Sequence, residues 1–283
     1  MNWLKYRFLY FFISLAILLP GLYSLWNFGL NPSVEFTGGS LLEISLENPN
    51  PDQIKDLLSP AYPIHSLNHD SSTITLKLDP ITQSQADQIV SDLKTLDSQA
   101  KLISFTSVGP SVGSQLLTKA LAAIVIAALA TLLYIAYSFR NLTFGFFAII
   151  AMLHDTLILL GSYSLLGHFF GFQTDLLIVT AILTTLSFSV HDTIVVFDRI
   201  RELKNKTTSS LYALSNRAIT ETITRSLNNS LTIIFMLLSL ALLGGDSIKH
   251  FTIALLIGAI TGTYSSTFTA VPLLVTWDTI RRK

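Results

Sequence analysis

The sequence lacks cysteine and is poor in charged residues. The absence of cysteine excludes disulfide bonds, thiol catalysis and cysteine-ligated metal sites. Charged residues make up 13% of the chain, against roughly a quarter in ordinary soluble domains. Half of the residues are hydrophobic, which is more than a globular core needs. The composition therefore predicts a membrane protein that lies in a lipid bilayer.

The formal net charge of the chain is zero, which gives no bulk attraction to nucleic acid, so we predict no nucleic-acid partner. Gly38 and Gly39 fall in a predicted strand, where paired glycines mark a bulge or a close approach of backbones. Neither a lysine nor a helix start follows them, so they do not form a phosphate-binding loop. We predict no cofactor and no metal.

Six apolar runs are long enough to cross a bilayer as helices, which takes about 20 residues each. They comprise residues 8–26, 116–137, 142–166, 176–197, 227–243 and 251–277. The first run has no convincing cleavage site, so we interpret it as an uncleaved helix rather than a signal peptide. The predicted architecture is an α-helical membrane protein with six transmembrane helices.

Between the first two runs, hydropathy falls and charges appear, which predicts a small water-exposed α+β domain over residues 29–115. Strand patterns cover residues 36–46, 64–67, 73–78 and 102–108, and helical spacing covers residues 51–58 and 82–96. The resulting βαββαβ order is that of a ferredoxin-like domain. Gly109, Pro110 and Gly113 follow it as a hinge, a rigid turn or a plain linker.

The distribution of positive charge predicts the orientation. Lysine and arginine gather on one side of the predicted spans, which the positive-inside rule assigns to the cytoplasm: Lys5, Arg7, Arg140, Arg199, Arg201, Lys204, Lys206, Arg217, Arg225, Arg281, Arg282 and Lys283. Residues 1–28 then form the first helix with a cytoplasmic amino terminus. Residues 29–115 are extracytoplasmic, and residues 116–283 form a five-helix transmembrane domain with a cytoplasmic carboxyl terminus.

An aspartate lies deep in the fourth span. Counted from Asp175, Asp192 is roughly 25 Å into the membrane, and counted from Gly244, Arg225 is roughly 28 Å in. A lone charge there costs at least ~2.5 to 3.5 kcal/mol, so Asp192 needs a partner, a proton or a water-filled crevice. We predict that Arg225 is that partner within a proton relay. A static packing pair, or an Arg225 that snorkels to the interface, remains the alternative.

Two further features fall in the predicted spans. His154 and Asp155 repeat the His-Asp-Thr sequence of residues 191–193 and lie about 20 Å from Asn141, so they are relay candidates or a structural hydrogen-bonded pair. Gly258 and Gly262 recur at four-residue spacing in the last span, which favours close packing against a neighbouring helix.

Four short segments, in this order and spacing, resemble the SecD/SecF protein-export family of the RND superfamily, and specifically its six-span subunits. They are residues 36–40 (Phe-Thr-Gly-Gly-Ser), 108–113 (Val-Gly-Pro-Ser-Val-Gly), 192–201 (Asp-Thr-Ile-Val-Val-Phe-Asp-Arg-Ile-Arg) and 262–266 (Gly-Thr-Tyr-Ser-Ser). The family's aspartate in the fourth span and arginine at the start of the fifth, tied there to proton conduction, match Asp192 and Arg225. Glu35 and His191 depart from the family pattern of aspartate and asparagine, and His191 could alter the proton affinity of Asp192.

The resemblance implies a non-enzymatic subunit that uses the proton motive force in late steps of preprotein translocation. The implied partners are SecD, the SecYEG channel and translocating preproteins, with YajC and YidC as further candidates. The implied location is the bacterial cytoplasmic (inner) membrane. The resemblance leaves open whether sodium ions drive the step in place of protons. The alternative function is that of a proton-coupled small-molecule or lipid transporter of the same superfamily. An intramembrane aspartyl protease is disfavoured, because neither Asp155 nor Asp192 stands in a Gly-x-Gly-Asp setting.

Overall fold

The computed structural model describes residues 2–47, 50–70, 73–139 and 142–281. Arg140, Arg282 and Lys283, which contribute to the predicted orientation, lie outside the described residues. The chain divides into two compact units. One unit comprises Met1–Asn31 and Ala123–Lys283, and the other comprises Pro32–Ala122.

Helices and strands alternate along the chain only within the smaller unit, and the described elements of the larger unit are helices. A 3₁₀ turn over Trp3–Tyr6 leads into α1 (Arg7–Asn27), followed by α2 (Val34–Thr37), β1 (Gly39–Ser45), α3 (Pro51–Leu58), β2 (Ile64–Asp70), β3 (Thr73–Leu78), α4 (Gln83–Leu93) and β4 (Lys101–Val108). The long helices are α5 (Pro110–Phe139), α6 (Leu142–Phe170), α7 (Leu176–Lys206), α8 (Leu211–Leu243) and α9 (Asp246–Ser265). A π-helical segment over Ser266–Ala270 joins α9 to α10 (Val271–Arg281).

Six segments of the described chain are long and apolar enough to span a membrane, as the sequence predicts. They are Trp3–Asn27, Pro110–Ser138, Leu142–Phe170, Leu176–Lys206, Leu211–Leu243 and Ile248–Arg281, the last of which includes α9, the π-helical segment and α10. The protein is therefore a multi-pass helical membrane protein. Helix α8 begins 16 residues before the predicted span at residue 227, because its polar first half is also helical and Ser210 caps it by accepting from the Ala213 N–H.

The smaller unit contains a four-stranded antiparallel sheet in the order β2-β3-β1-β4. The predicted βαββαβ order of its elements is observed. Asn50 and Thr82 cap α3 and α4, and Pro51 at the start of α3 has a backbone angle suited to a first turn. The two helices bury their apolar faces against the sheet, where the core consists mainly of Leu42, Ile44, Ile54, Leu58, Ile74, Leu76, Leu78, Ile89 and Leu93.

The prediction that the first strand begins at residue 36 is wrong. Residues 34–37 form the short helix α2, with the Ser33 hydroxyl accepting from the Glu35 N–H. Gly38 and Gly39 then have φ angles of +76° and +117°, which side-chain-bearing residues rarely adopt and which break the extended chain. The strand therefore starts only at Gly39.

The larger unit is a helical bundle in which α7 packs against α6, α8 and α9. Helices α1 and α6 cross where Gly21 faces Gly161, with a β-carbon at Gly21 falling 3.0 Å from the Gly161 Cα. One turn further along, the Ser24 and Ser164 hydroxyls lie 2.8 Å apart, and Ser164 also donates to the Gly29 carbonyl at 2.6 Å. Small residues and hydroxyls thus hold this crossing, as is common between helices in lipid.

The amino-terminal half of α8 holds the start of the chain. The Trp3 N–H donates to Asn216 Oδ1 at 2.7 Å, and the Trp3 indole N–H donates to Thr220 Oγ1 at 3.1 Å. Glu221 on the same helix pairs with Arg217 and with Arg199 of α7. These bonds tie the 3₁₀ turn and α7 to α8.

Candidate functional site

A small polar cavity lies between α7, α8 and α9. Its volume is about 20 Å³, which is room for about one water molecule. Each of the three helices contributes polar side chains to its wall, which consists of Phe188, His191, Asp192, Asn229, Ser230, Ile233, Ala259 and Thr263. A water in this position would have several hydrogen-bonding partners, so the cavity is suited to hold one.

Asp192 is the acidic group of this cavity. Only 7% of its surface is exposed, and the Ser230 hydroxyl donates to its Oδ2 atom at 3.4 Å. Helical spacing places Thr185, Ser189 and Asp192 on one buried face of α7. This face is directed at neighbouring helices rather than at lipid.

Arg225 does not form the predicted ion pair with Asp192. Both residues are among those described, and no nitrogen of Arg225 lies within 4.0 Å of an Asp192 oxygen. Arg225 is exposed, whereas Ser226 and Ser230 on the same helix are buried. The reason is rotation about the helix axis: five residues separate Arg225 from Ser230, which turns their side chains roughly 140° apart. Ser230 therefore occupies the position that the sequence assigned to Arg225.

The second predicted pair, His154 and Asp155, is formed. Asp155 is completely buried, and the His154 Nδ1 atom lies 2.9 Å from its Oδ1 atom. On the other side of the carboxylate, the Ser265 hydroxyl of α9 donates to Oδ2. The Ser189 hydroxyl of α7 also lies beside Asp155, although it forms no hydrogen bond of standard geometry there.

His191 lies beside the cavity rather than inside the core. Its side chain is exposed, although it contributes to the cavity wall next to Asp192. A protonated His191 would favour the ionised form of Asp192, because opposite charges attract more strongly outside bulk water. Ser230, Ser265 and Ser189 were not predicted as partners of the two aspartates. Helical spacing marks Ser230 and Ser189 as members of polar faces, since Ser226 and Ser230, and Thr185 and Ser189, recur four residues apart, but it does not identify the residues that they contact.

The glycines of α9 lie against the polar face of α7. A β-carbon at Gly258 would lie 2.0 Å from Thr185 Oγ1, and one at Gly262 would lie 3.3 Å from the Ser189 nitrogen. The two backbones therefore approach closely where α7 has its hydroxyl side chains. This is the close approach that four-residue spacing predicts.

The glycines of the smaller unit form a contact with the start of α5. A β-carbon at Gly38 would lie 2.7 Å from the Pro110 Cα, and one at Gly113 would lie 2.8 Å from the Gly38 nitrogen. Gly109 has open space around it. In the part of the chain that the structure describes, no group of three or more histidine, aspartate or glutamate residues could hold a metal ion.

This fold and this site define a class: a multi-pass helical membrane protein with two carboxyl groups buried in its bundle and a small α+β unit between its first two spans. Comparison with known families gives two matches. The family described as "Protein export membrane protein SecD/SecF, C-terminal" matches residues 88–280, and the "SecD/SecF GG Motif" matches residues 23–49. The chain belongs to the SecD/SecF family of protein-export membrane proteins.

Individual relatives agree with this assignment. A "Protein translocase subunit SecF" from Thermobaculum terrenum is 40% identical, with 97% of this chain and 93% of the relative covered. Another protein of the same name, from Anaerolinea thermophila, is 38% identical, with 98% of this chain and 94% of the relative covered. The crystal structure of SecDF, a translocon-associated membrane protein from Thermus thermophilus, matches with a TM-score of 0.88 and 28% identity. The match covers 99% of this chain but spans only 39% of that SecDF chain.

Proposed function

We propose that this protein is the SecF-type subunit of an export complex that uses the proton motive force to promote late steps of preprotein translocation. The observation that carries the proposal is the position of Asp192. Its carboxyl group is buried in the bundle beside a water-sized cavity, and its described contact is a long hydrogen bond from a neutral hydroxyl, that of Ser230. A carboxyl group in such surroundings serves to take up and release a proton.

The energetics favour a proton over a fixed charge. An ionised carboxylate deep in a bilayer costs at least ~2.5 to 3.5 kcal/mol without compensation. Among the described residues no arginine pairs with Asp192, so protonation of its carboxylate removes that cost in one step. When it loses the proton, the compensation comes from the cavity water, from the Ser230 hydroxyl and from approach of a positive side chain. Arg225 on α8 and His191 beside the cavity are the candidates for that charge.

The driving force is sufficient for a conformational step. One charge moved across 100 mV supplies about 2.3 kcal/mol, which shifts a two-state equilibrium about fiftyfold. Release of a preprotein would therefore take repeated cycles. We propose that the small α+β unit makes the movement.

The topology and partners follow from the family. We propose that residues 29–115 form an extracytoplasmic ferredoxin-like domain and that both termini are cytoplasmic, in the bacterial inner membrane. SecD is the proposed partner, because the family match and the SecDF structure support that pairing. SecYEG and the preprotein are the further proposed partners, with YajC and YidC beside them. We propose a non-enzymatic role.

The alternative of a small-molecule transporter is less well supported. The cavity at Asp192 has a volume of about 20 Å³, which holds a water molecule but no lipid or drug-sized ligand, since such pockets measure roughly 300–1,000 Å³. The size of the cavity therefore favours a proton as the species that binds at this level of the bundle.

The test uses membrane vesicles that contain this chain, a SecD-type partner and SecYEG. Asp192→Asn and Arg225→Leu should leave the protein inserted and bound to its partner but abolish the stimulation of export by an imposed proton gradient. Glu202→Gln, which removes an exposed carboxylate from the same helix as Asp192, should export normally. Full stimulation in Asp192→Asn would refute the proposal. Repeating the assay with a sodium gradient alone shows which ion drives the step.

A further inference from the structure

Asp155 is the most deeply buried acidic group of the described bundle, and its contacts come from two helices. On α6 itself, the imidazole of His154 reaches one carboxylate oxygen, and from α9 the hydroxyl of Ser265 reaches the other. The side chain of Asp155 has no exposed surface, and His154 is about one-tenth exposed. The group is thus sealed from water, unlike Asp192 with its cavity.

The chemistry of these contacts fits a proton rather than a metal ion. Both oxygens of Asp155 already have hydrogen-bond partners from the protein, so neither needs a cation to satisfy it. The His154 Nε2 atom is buried and has no described hydrogen-bond partner, so the described hydrogen bond of this ring is the one from Nδ1 to Asp155. A proton shared between His154 and Asp155 keeps this pair free of net charge in the low-dielectric interior.

Ser189 on α7 is near both acids, since it neighbours Asp155 of α6 and shares a buried helix face with Asp192. Its hydroxyl is beside Asp155, and Asp192 follows three residues later on the same buried face, about 4.5 Å along the axis. The Ser189 side chain is 1% exposed, and its hydroxyl has no described hydrogen-bond partner. A hydroxyl can accept one proton while it donates another. Burial without a fixed partner leaves this hydroxyl able to turn from one carboxyl group to the other.

The helix that carries Ser265 is irregular at this level. Helix α9 ends at Ser265, and the π-helical segment Ser266–Ala270 begins at the next residue. Such segments inside long helices occur frequently at functional sites. Here the irregularity follows directly after the hydroxyl that contacts Asp155.

We propose that Asp155 is a second proton-holding site and that the Ser189 hydroxyl passes the proton between Asp155 and Asp192. This inference rests on the proposed proton-driven function. In the transfer, neutral Asp155 gives its proton to the Ser189 oxygen, and the proton that Ser189 held moves to the Asp192 carboxylate. Asp155 is left ionised between His154 and Ser265, Asp192 becomes neutral, and no other reactant is needed. Ser265 is a positioning residue, because it acts through Asp155.

The titratable groups around Asp155 are few in the described bundle. His154 stands next to it on α6, and on α7 His191 and Asp192 closely follow Ser189, the residue beside Asp155. On α9, Tyr264 precedes Ser265 but directs its hydroxyl to the Tyr10 carbonyl of α1 at 2.8 Å. Any pH dependence of the Asp155 site therefore arises from His154, from His191 or from exchange with Asp192.

The test compares Ser189→Ala with Ser215→Ala. Both are buried serines in long helices, and both hydroxyls lack a described hydrogen-bond partner, but Ser215 has no described contact with Asp155 or Asp192. Ser189→Ala should slow gradient-driven export about tenfold, equal to roughly 1.4 kcal/mol, while Ser215→Ala should not change the rate. Because a serine-to-alanine change adds no atoms, both variants are expected to fold.

A spectroscopic readout separates this proposal from the broader one. Infrared spectra of the complex should show a band of a buried protonated carboxyl group that disappears in Asp155→Asn but persists in Asp192→Asn and in Glu202→Gln. If Asp192→Asn abolishes stimulation but Asp155→Asn and Ser189→Ala leave both export and the infrared band unchanged, the second site is refuted and the function stands. If Asp192→Asn also exports normally, the function itself fails.

Discussion

Gly258 on α9 lies so close to Thr185 on α7 that a β-carbon at position 258 would fall 2.0 Å from Thr185 Oγ1. Rotation of Thr185 does not relieve the contact, because its Cβ and Cγ2 atoms would follow at 3.0 and 3.1 Å. The close approach of these two helices brings the hydroxyl-rich face of α7 against α9, where Ser265 contacts Asp155. The packing of two small residues thus determines the geometry of the buried acids.

Gly258→Ala should therefore destabilise the bundle by about 1–3 kcal/mol, the usual cost of overpacking. The measurement is the midpoint of thermal unfolding in detergent. Gly145→Ala is the matched control, because its β-carbon would make only ordinary contact, 3.6 Å from Ile135 Cγ2, and alanine is the better helix former. Equal midpoints for the two variants would contradict the close crossing.

Asp192 and Arg225 should behave independently in a double-mutant cycle for stability. With no ion pair between them, the effects of Asp192→Asn and Arg225→Leu on unfolding should add within about 0.5 kcal/mol. Ser230→Ala should show coupling to Asp192→Asn beyond that limit, since these side chains share a hydrogen bond. Strong coupling of Arg225 to Asp192 would place the arginine against the carboxylate instead.

Gly113→Ala should loosen the start of α5 from α2 and Gly38. Its β-carbon would lie 2.8 Å from the Gly38 nitrogen and 3.0 Å from the Phe36 oxygen, and backbone atoms cannot turn away. Faster hydrogen exchange of the Gly38 amide, which donates to the Val34 carbonyl, is the expected result. Gly109→Ala, four residues earlier and with open space around it, should leave exchange unchanged; loosening by both variants would point to loss of glycine flexibility instead.

Ser164→Ala should weaken the crossing of α1 and α6. The substitution removes the bond to Ser24 and leaves the Gly29 carbonyl without its hydroxyl donor. We expect a loss of about 1 kcal/mol, because a buried acceptor without a partner adds to the modest value of a bond between membrane helices. Ser239→Ala removes an exposed hydroxyl that bonds the Phe235 carbonyl of its own helix, and its unfolding midpoint should match that of the unchanged protein.

The sequence was sufficient for the spans and the element order because both follow from hydropathy and periodicity. The depth count was also nearly right, since it placed Arg225 within one and a half turns of Ser230, the residue that contacts Asp192. It could not supply the rotation of α8 about its own axis, which decides whether residue 225 or residue 230 faces α7. That rotation depends on the packing of the whole bundle, so it cannot be predicted from hydropathy.

The buried partners of Asp155 were hidden for a related reason. Ser265 is 110 residues away from Asp155 in the chain, and a serine in an apolar helix has no signature that names its partner. The wrong prediction of the first residue of β1 has a local cause instead. The apolar pattern places Phe36 in an extended strand, but hydropathy does not reveal that Gly38 and Gly39 have positive φ angles.

The length of helix α8 can convert a small tilt into a larger displacement at its end. It runs without interruption from Leu211 to Leu243, so Ser230 divides it into a short arm and a long one of roughly 28 Å. Each degree of tilt about Ser230 moves the far tip of the long arm by about 0.5 Å. Asn216 and Thr220, which accept hydrogen bonds from Trp3, lie on that arm. A small tilt of α8 about Ser230, beside Asp192, would therefore produce a larger displacement at the contacts with Trp3.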